Sequence, residues 1–188
     1  MNNTVSYATQ NDLLLNNLME FYKDEYNISK MLKIITGESK ISLRIVDWFA
    51  TNYAKKYYTL YDIKVNENIR RFKVYFDYKL KLKAYSKKRF DPFCRWDRIS
   101  IPYKNGTFIE TTIGQLNFFK WALENKVINY IEENYLEIEK DMNNRNSTSK
   151  RKETSIDNGK TRKKREELSI SATKSIKKED IEITVQFH

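Results

Sequence analysis

Four acids, Asp47, Asp91, Asp97 and Glu110, stand nearest the most distinctive stretches of this chain. Carboxylates could hold a divalent ion for a nuclease or transferase reaction, but only if several converged on one point. Their spacing follows no ligand pattern, so Asp91 before Pro92 is expected to form a turn and the others to make surface ion pairs. Cys94 is the single thiol and His188 the single imidazole. A cysteine nucleophile needs a base within reach, and the only imidazole lies at the far end of the sequence. One cysteine and one histidine cannot fill a structural zinc site, and one cysteine cannot form an intramolecular disulfide. Cys94 is therefore expected to pack as a small hydrophobe. The expectation is a protein with no catalytic residue, no metal and no cofactor, hence not an enzyme.

Charge and aromatic rings offer a different chemistry. The net charge is +10, and it is concentrated. Residues 70–95 hold ten Lys or Arg against two acids, and residues 145–165 hold nine against two. Such blocks attract phosphates or acidic surfaces over a Debye length of about 8–10 Å. In the first block Lys79, Lys83, Lys87, Lys88, Arg89 and Arg95 are interleaved with Tyr75, Tyr78 and Tyr85. Lysines neutralise phosphates while aromatic rings and guanidinium planes stack on bases, so these cations are the candidate nucleic-acid contacts. The same lysines would also serve as the wet side of an amphipathic element. In the second block Lys150, Arg151 and Lys152 followed by Arg162, Lys163, Lys164 and Arg165 resemble a two-part nuclear import signal or a nucleic-acid arm. No ribonucleoprotein motif, glycine-rich phosphate loop or zinc finger is present in the sequence.

The elements that would position these groups read as α+β. Leu14, Leu18 and Phe21 or Tyr22 fall at helical spacing behind Asn11 and Asp12, and a second helix runs through Met31, Leu32 and Ile35 to Gly37. Ser39 or Ser42 then caps a helix whose stripe is Ile41, Ile45, Trp48, Phe49 and Tyr53, ending near Lys55 and Lys56. A hairpin follows around Asn66-Glu67-Asn68, its second strand alternating to about Tyr78 before a helix runs to about Phe90. Asp91-Pro92 ends it. A second hairpin turns at Asn105-Gly106. Thr112 and Gln115 form a capping box for a long helix carrying Leu116, Phe119, Leu123, Val127 and Tyr130, which runs with a break to about Met142. Trp48, Trp96 and Trp121 are expected to anchor a core or an interface.

Residues 1–142 are thus expected to form one globular α+β domain, with the two hairpins in a mostly antiparallel sheet. Residues 143–167 have too few apolar side chains to order themselves and read as a disordered basic linker. Residues 168–188 read as a helix and strand returning to the domain, the strand being Ile181, Ile183, Val185 and Phe187. No basic-then-apolar leader and no apolar run long enough for a membrane span appear, so an intracellular protein with no membrane contact is expected.

The stretches ISLRIVDWFATNYAKK, YKLKLKAYSKKRFDPFCRW, IETTIGQLNFFKWALENKVINYI and ATKSIKKEDIEITVQF resemble a family of small uncharacterised proteins from nucleocytoplasmic large DNA viruses, of the mimivirus and phycodnavirus kind. Phe90-Asp91-Pro92-Phe93-Cys94-Arg95 and Gly114-Gln115-Leu116-Asn117-Phe118-Phe119 carry that likeness. It implies a viral gene product of the virion, the viral factory or the host nucleus, and it brings no catalytic residue with it. The expected function is non-enzymatic binding of DNA or RNA through the two basic blocks. The rival class is a structural or assembly protein of the virion whose basic faces meet acidic viral proteins.

Overall fold

The computed structural model describes residues 9–65, 68–94, 98–153 and 177–179. Thr9 opens α1 (Gln10–Tyr22) with a reciprocal capping box, its hydroxyl accepting from the Asp12 amide while the Asp12 carboxylate accepts from the Thr9 amide. Asp24 caps α2 (Glu25–Ile35), which stops before Gly37 at φ 82°. Ser42, one of the two expected caps, accepts from the Ile45 amide and starts α3 (Leu43–Trp48). A π-helical turn, Phe49–Tyr53, interrupts this helix before it resumes as α4 (Ala54–Lys56).

The first hairpin pairs β1 (Leu60–Val65) with β2 (Asn68–Lys73), Val65 lying opposite Asn68, so the chain reverses at the expected place. The expected extension of β2 to Tyr78 is corrected. Helix α5 (Val74–Phe90) begins directly after Lys73. Val74 and Tyr78 fit a helical face as well as an alternating strand, and Phe76, which the strand would have buried with them, is 53% exposed.

The second hairpin pairs β3 (Arg98–Pro102) with β4 (Phe108–Thr112) around a 3-10 turn at Lys104–Gly106, and β5 (Lys177–Glu179) adds to β4's other side. The α+β class stands, but the two hairpins do not share a sheet: β1–β2 and β3–β4–β5 are separate, with α5 between the hairpins in the chain. The expected terminal strand at 181–187 lies outside the described residues.

Thr112 caps α6 (Ile113–Glu124) by accepting from the Gln115 amide; the Gln115 side chain, instead of completing a box, accepts from the Thr111 hydroxyl. A left-handed Lys126 (φ 56°) and then Asn134 break the long helix into α6, α7 (Val127–Glu133) and α8 (Tyr135–Glu153). Helix α8 continues eleven residues past the expected end at Met142. The linker expected from 143 therefore begins as helix, and its part from 154 to 167 lies outside the described residues.

Helix α6 is the centre of the core. Leu116, Phe118, Phe119, Trp121 and Ala122 are all buried, with α1, α2 and α5 packed around the helix and only Lys120, Leu123 and Glu124 reaching solvent. Its buried polar groups are satisfied: Tyr22 donates to the Leu116 carbonyl, and the Asn117 amide donates to the Arg89 carbonyl. Gly114 allows the close approach of α6 to the end of α5. A Cβ there would sit 2.8 Å from the Asp91 carbonyl oxygen and 3.3 Å from that of Lys88. The expected outcome of Gly114→Ala is a loss of about 1–3 kcal/mol from overpacking, despite alanine's better helix propensity. A lower urea midpoint at an unchanged slope checks it; an unchanged midpoint would show that the two segments can part.

Candidate nucleic-acid interface

The segment from Lys55 to Leu60 builds the most distinctive surface. At the end of α4 the Thr59 amide donates back to the Ala54 carbonyl at 3.1 Å, closing a Schellman-type cap. The left-handed position of that cap, where glycine is the usual residue, is held by Tyr58 at φ 49°, and its ring is 73% exposed. A left-handed residue with a side chain costs roughly 1–2 kcal/mol. Buried Thr59 holds it there, its carbonyl accepting from the Val74 amide at 3.3 Å.

Clefts open on both sides of this segment. One, of about 940 Å³, is walled by Tyr53, Tyr57 and Tyr58 and, from α8, by Lys140, Asn144 and Arg145. Asp141 at its edge is 8% exposed and collects three donors: Lys56 Nζ at 2.5 Å, Trp48 Nε1 at 3.1 Å and the Tyr57 hydroxyl at 3.3 Å. Burial works to raise the Asp141 pKa, but the Lys56 and Trp48 hydrogen bonds and the Lys56 charge outweigh it, so the group stays below its usual range. Arg145 donates to Asn52 Oδ1 and lies 5.7 Å from the Trp48 ring centre. The second cleft, about 450 Å³, is more apolar and is lined by Lys55, Tyr58, Leu60, Lys73, Tyr75 and Phe76. The Tyr58 and Phe76 rings lie 6.4 Å apart across its mouth.

From Phe76 the exposed face of α5 continues through Lys79, Leu80 and Lys83 at i+3, i+4 and i+7. The expected basic block does not form one stripe, because Ser86 at φ 63° and ψ 168° kinks the helix. Lys79 and Lys83 stay on the Phe76 side, whereas exposed Lys87 and Lys88 and half-buried Arg89 follow the kink. Nor do the expected tyrosines stack outward: Tyr78 is buried, and Tyr75 and Tyr85 pack against the core. The helical period that replaces the strand turns Tyr75 inward and Phe76 out. Helix α8 carries the backbone of Lys150, Arg151 and Lys152 on beyond Arg145, roughly 8–10 Å along its axis at 1.5 Å per residue. Arg95 and Arg162 to Arg165 lie outside the described residues.

Sequence reasoning therefore missed Tyr57, Tyr58, Leu60, Phe76, Lys140 and Arg145. The available signal was Lys55-Lys56-Tyr57-Tyr58, a helix end marked by cations but lacking the glycine or asparagine that such an end commonly uses.

Two of the acids behave as the sequence implied, whereas Asp47, expected in a surface ion pair, is half-buried and makes none among the described residues. Glu110 pairs with Arg98 at 3.2 Å, Asp91 accepts from the Phe93 amide in a turn, and Asp97 lies outside the described residues. Among the described residues no group of three or more His, Cys, Asp or Glu is placed to hold a metal. No described helix is long and apolar enough to cross a membrane. Burial, reinforced by the neighbouring Asp91 charge, pushes the Asp47 carboxyl up to about 7.

Residues 2–188 match the model of a family described as a family of unknown function, DUF7197. The chain is similar to "Uncharacterized protein L507" of Acanthamoeba polyphaga mimivirus, 48% identical over 138 residues, which is 71% of this chain and 52% of that protein. The chain thus spans about half the length of the curated relative it matches. No solved structure matches it. The viral kinship expected from the quoted stretches is borne out.

A proton bound more tightly in the folded than in the unfolded state gives stability that is present at low pH and lost as pH rises. For Asp47 that loss falls between its ordinary 3.8 and about 7. Asp47→Asn is expected to match the parent near the bottom of this window and to exceed its melting temperature above the top. A constant difference between the two proteins in a pH series of thermal melts would show that Asp47 titrates normally.

Proposed function

We propose, from the premise that the chain belongs to the DUF7197 family, that this protein binds single-stranded nucleic acid and does not transform it. The observation that carries this reading is Tyr58, an exposed ring kept in a left-handed conformation between two clefts. Backbone strain retained at a surface position has a use when it aims a side chain. Phe76 flanks it, so two rings are open to unstacked bases, while Tyr57 carries Lys56 Nζ over its ring at 4.5 Å and brings that charge beside them.

The charge around these rings fits a phosphate backbone. Lys55, Lys56, Lys73, Lys140 and Arg145 line the two clefts against Glu137 and Asp141 only, a surplus of three positive charges. Lys79 and Lys83 continue the track along α5, and the backbone of α8 carries Lys150 to Lys152 away from the larger cleft. Duplex DNA keeps its base faces stacked, so the rings favour unpaired strands. Kinship with a mimivirus protein supports an activity in an infected cell, whose viral factory or nucleus would offer unpaired strands during replication and transcription.

Tyr58→Gly separates this role from a structural one. Glycine relieves the left-handed strain, so the variant is expected to be more stable than the parent, by about 1 kcal/mol. It should nevertheless bind a labelled oligo-dT or oligo-U about 5- to 150-fold more weakly, the loss of about 1–3 kcal/mol per stacked base. Replacing Lys55, Lys73 and Lys140 by glutamine should flatten the salt dependence by about 0.7 per lost phosphate contact. Fluorescence polarisation over a salt series reads both. If Tyr58→Gly binds single strands as the parent does, or if polyglutamate competes as well as oligo-dT, the surface serves acidic proteins and the nucleic-acid reading fails.

A further inference from the structure

A third cleft, of about 350 Å³, lies away from the tyrosine segment, between one face of α5 and one face of α6. Asp77, Lys81 and Tyr85 line it from α5 at i, i+4 and i+8; Asn117, Lys120 and Glu124 line it from α6 at i, i+3 and i+7. Arg70 enters from β2 and Asn17 from α1. The floor is the buried pair Phe90 and Trp121. Its volume is at the small end of the ~300–1,000 Å³ range of small-molecule sites.

Its polar groups are held in place before any ligand arrives. The Trp121 indole donates to Asp77 Oδ1 at 2.7 Å, which orients the carboxylate. Buried Asn125 donates to the Trp121 carbonyl at 2.8 Å and accepts from Arg70 Nη2 at 2.9 Å, which fixes the guanidinium. Asn117 donates to the Arg89 carbonyl, so its own carbonyl oxygen faces away from that bond. Three cations, Arg70, Lys81 and Lys120, share the cleft with two acids. Among the described residues no carboxylate lies within ion-pair distance of Arg70 or Lys81, and Lys120 reaches Glu124 only at 3.8 Å.

We propose that this cleft binds a nucleoside monophosphate. The cations supply a site for one phosphate, with Arg70 presenting its remaining N–H donors in a fixed plane. Asp77, Glu124 and the Asn117 carbonyl are acceptors, so the body of the ligand must bring donors: sugar hydroxyls and an exocyclic amine do. A dicarboxylate of similar size would meet Asp77 and Glu124 with like charge. Tyr85, whose ring stacks on Phe90 at 6.1 Å, lines the cleft as an aromatic wall for a planar base, and the volume is too small for an oligonucleotide. The site shares no lining residue with the two clefts beside Tyr58, so it stands or falls independently of strand binding.

The test is calorimetric titration of the full chain with AMP, CMP, adenosine and inorganic phosphate. AMP or CMP should bind saturably at one site, and adenosine and phosphate at least tenfold more weakly. Arg70→Gln and Lys81→Gln should each weaken the nucleotide tenfold or more. Lys81 has no described partner, so its variant tests the site even if Arg70→Gln disturbs the hairpin, which circular dichroism would reveal. Tyr58→Gly should leave nucleotide affinity unchanged. The proposal is overturned if neither nucleotide binds at concentrations up to about 10 mM, if phosphate alone binds as tightly, or if Lys81→Gln binds AMP like the parent.

Discussion

Trp121 is the side chain on which the rest of the structure depends. Its indole ring lies within 5.7–6.3 Å of the rings of Phe72, Tyr78, Phe90 and Phe118, so the first hairpin, α5 and α6 meet on one group. Its one polar atom is satisfied by Asp77, which removes the cost of burying an N–H and at the same time fixes the rotation of α5 against α6. That rotation decides which α5 residues face inward. It sends Tyr78 to the core, leaves Phe76 in solvent and brings Lys81 over the third cleft. From Trp121 an unbroken series of ring contacts runs through Phe72, Tyr61, Tyr130, Phe49 and Tyr53 to Tyr57. The largest cleft and the third cleft are therefore mounted on one aromatic framework.

Asp141 has a comparable role on a smaller scale. A carboxylate this buried would be destabilising alone, and the donors from Lys56, Trp48 and Tyr57 compensate it. Because those donors come from α3, α4 and the residue after α4, the contact pins α8 against the turn that presents Tyr58. Lys140 and Arg145 flank the pinned carboxylate on the same helix, so the cations of the larger cleft are placed by a buried anion.

What was legible in the sequence follows from how local each signal is. Helix starts at Ser42 and Thr112, the reversal after Val65 and the positive φ at Gly106 are short-range matters of caps and turns, and they appear where the residues imply. The interleaved pattern from Phe72 to Tyr78 could not be resolved locally, since period two and a helical face coincide at Val74 and Tyr78; the Trp121–Asp77 bond, spanning 44 residues, settles it. The basic block was visible as composition but not as a surface, because the kink at Ser86 divides it. Tyr58 was invisible for the opposite reason: its place in the cap depends on Thr59 being tied to Val74, a contact between elements that no propensity encodes.

The π-helical turn at Phe49–Tyr53 is an α-helix with one residue more than its period allows. One residue is about 100° of rotation. Everything after it, Lys55, Lys56, Tyr57 and Tyr58, is turned by that angle relative to where an uninterrupted helix would have aimed it, while Leu43, Ile45 and Val46 before it keep their grip on the core. A relative shorter by one residue here would retain the same helix, the same core stripe and a similar composition, yet would point its tyrosines elsewhere. Descent of the surface can thus be traced by the spacing between positions 49 and 53 rather than by the identity of the aromatic residues themselves.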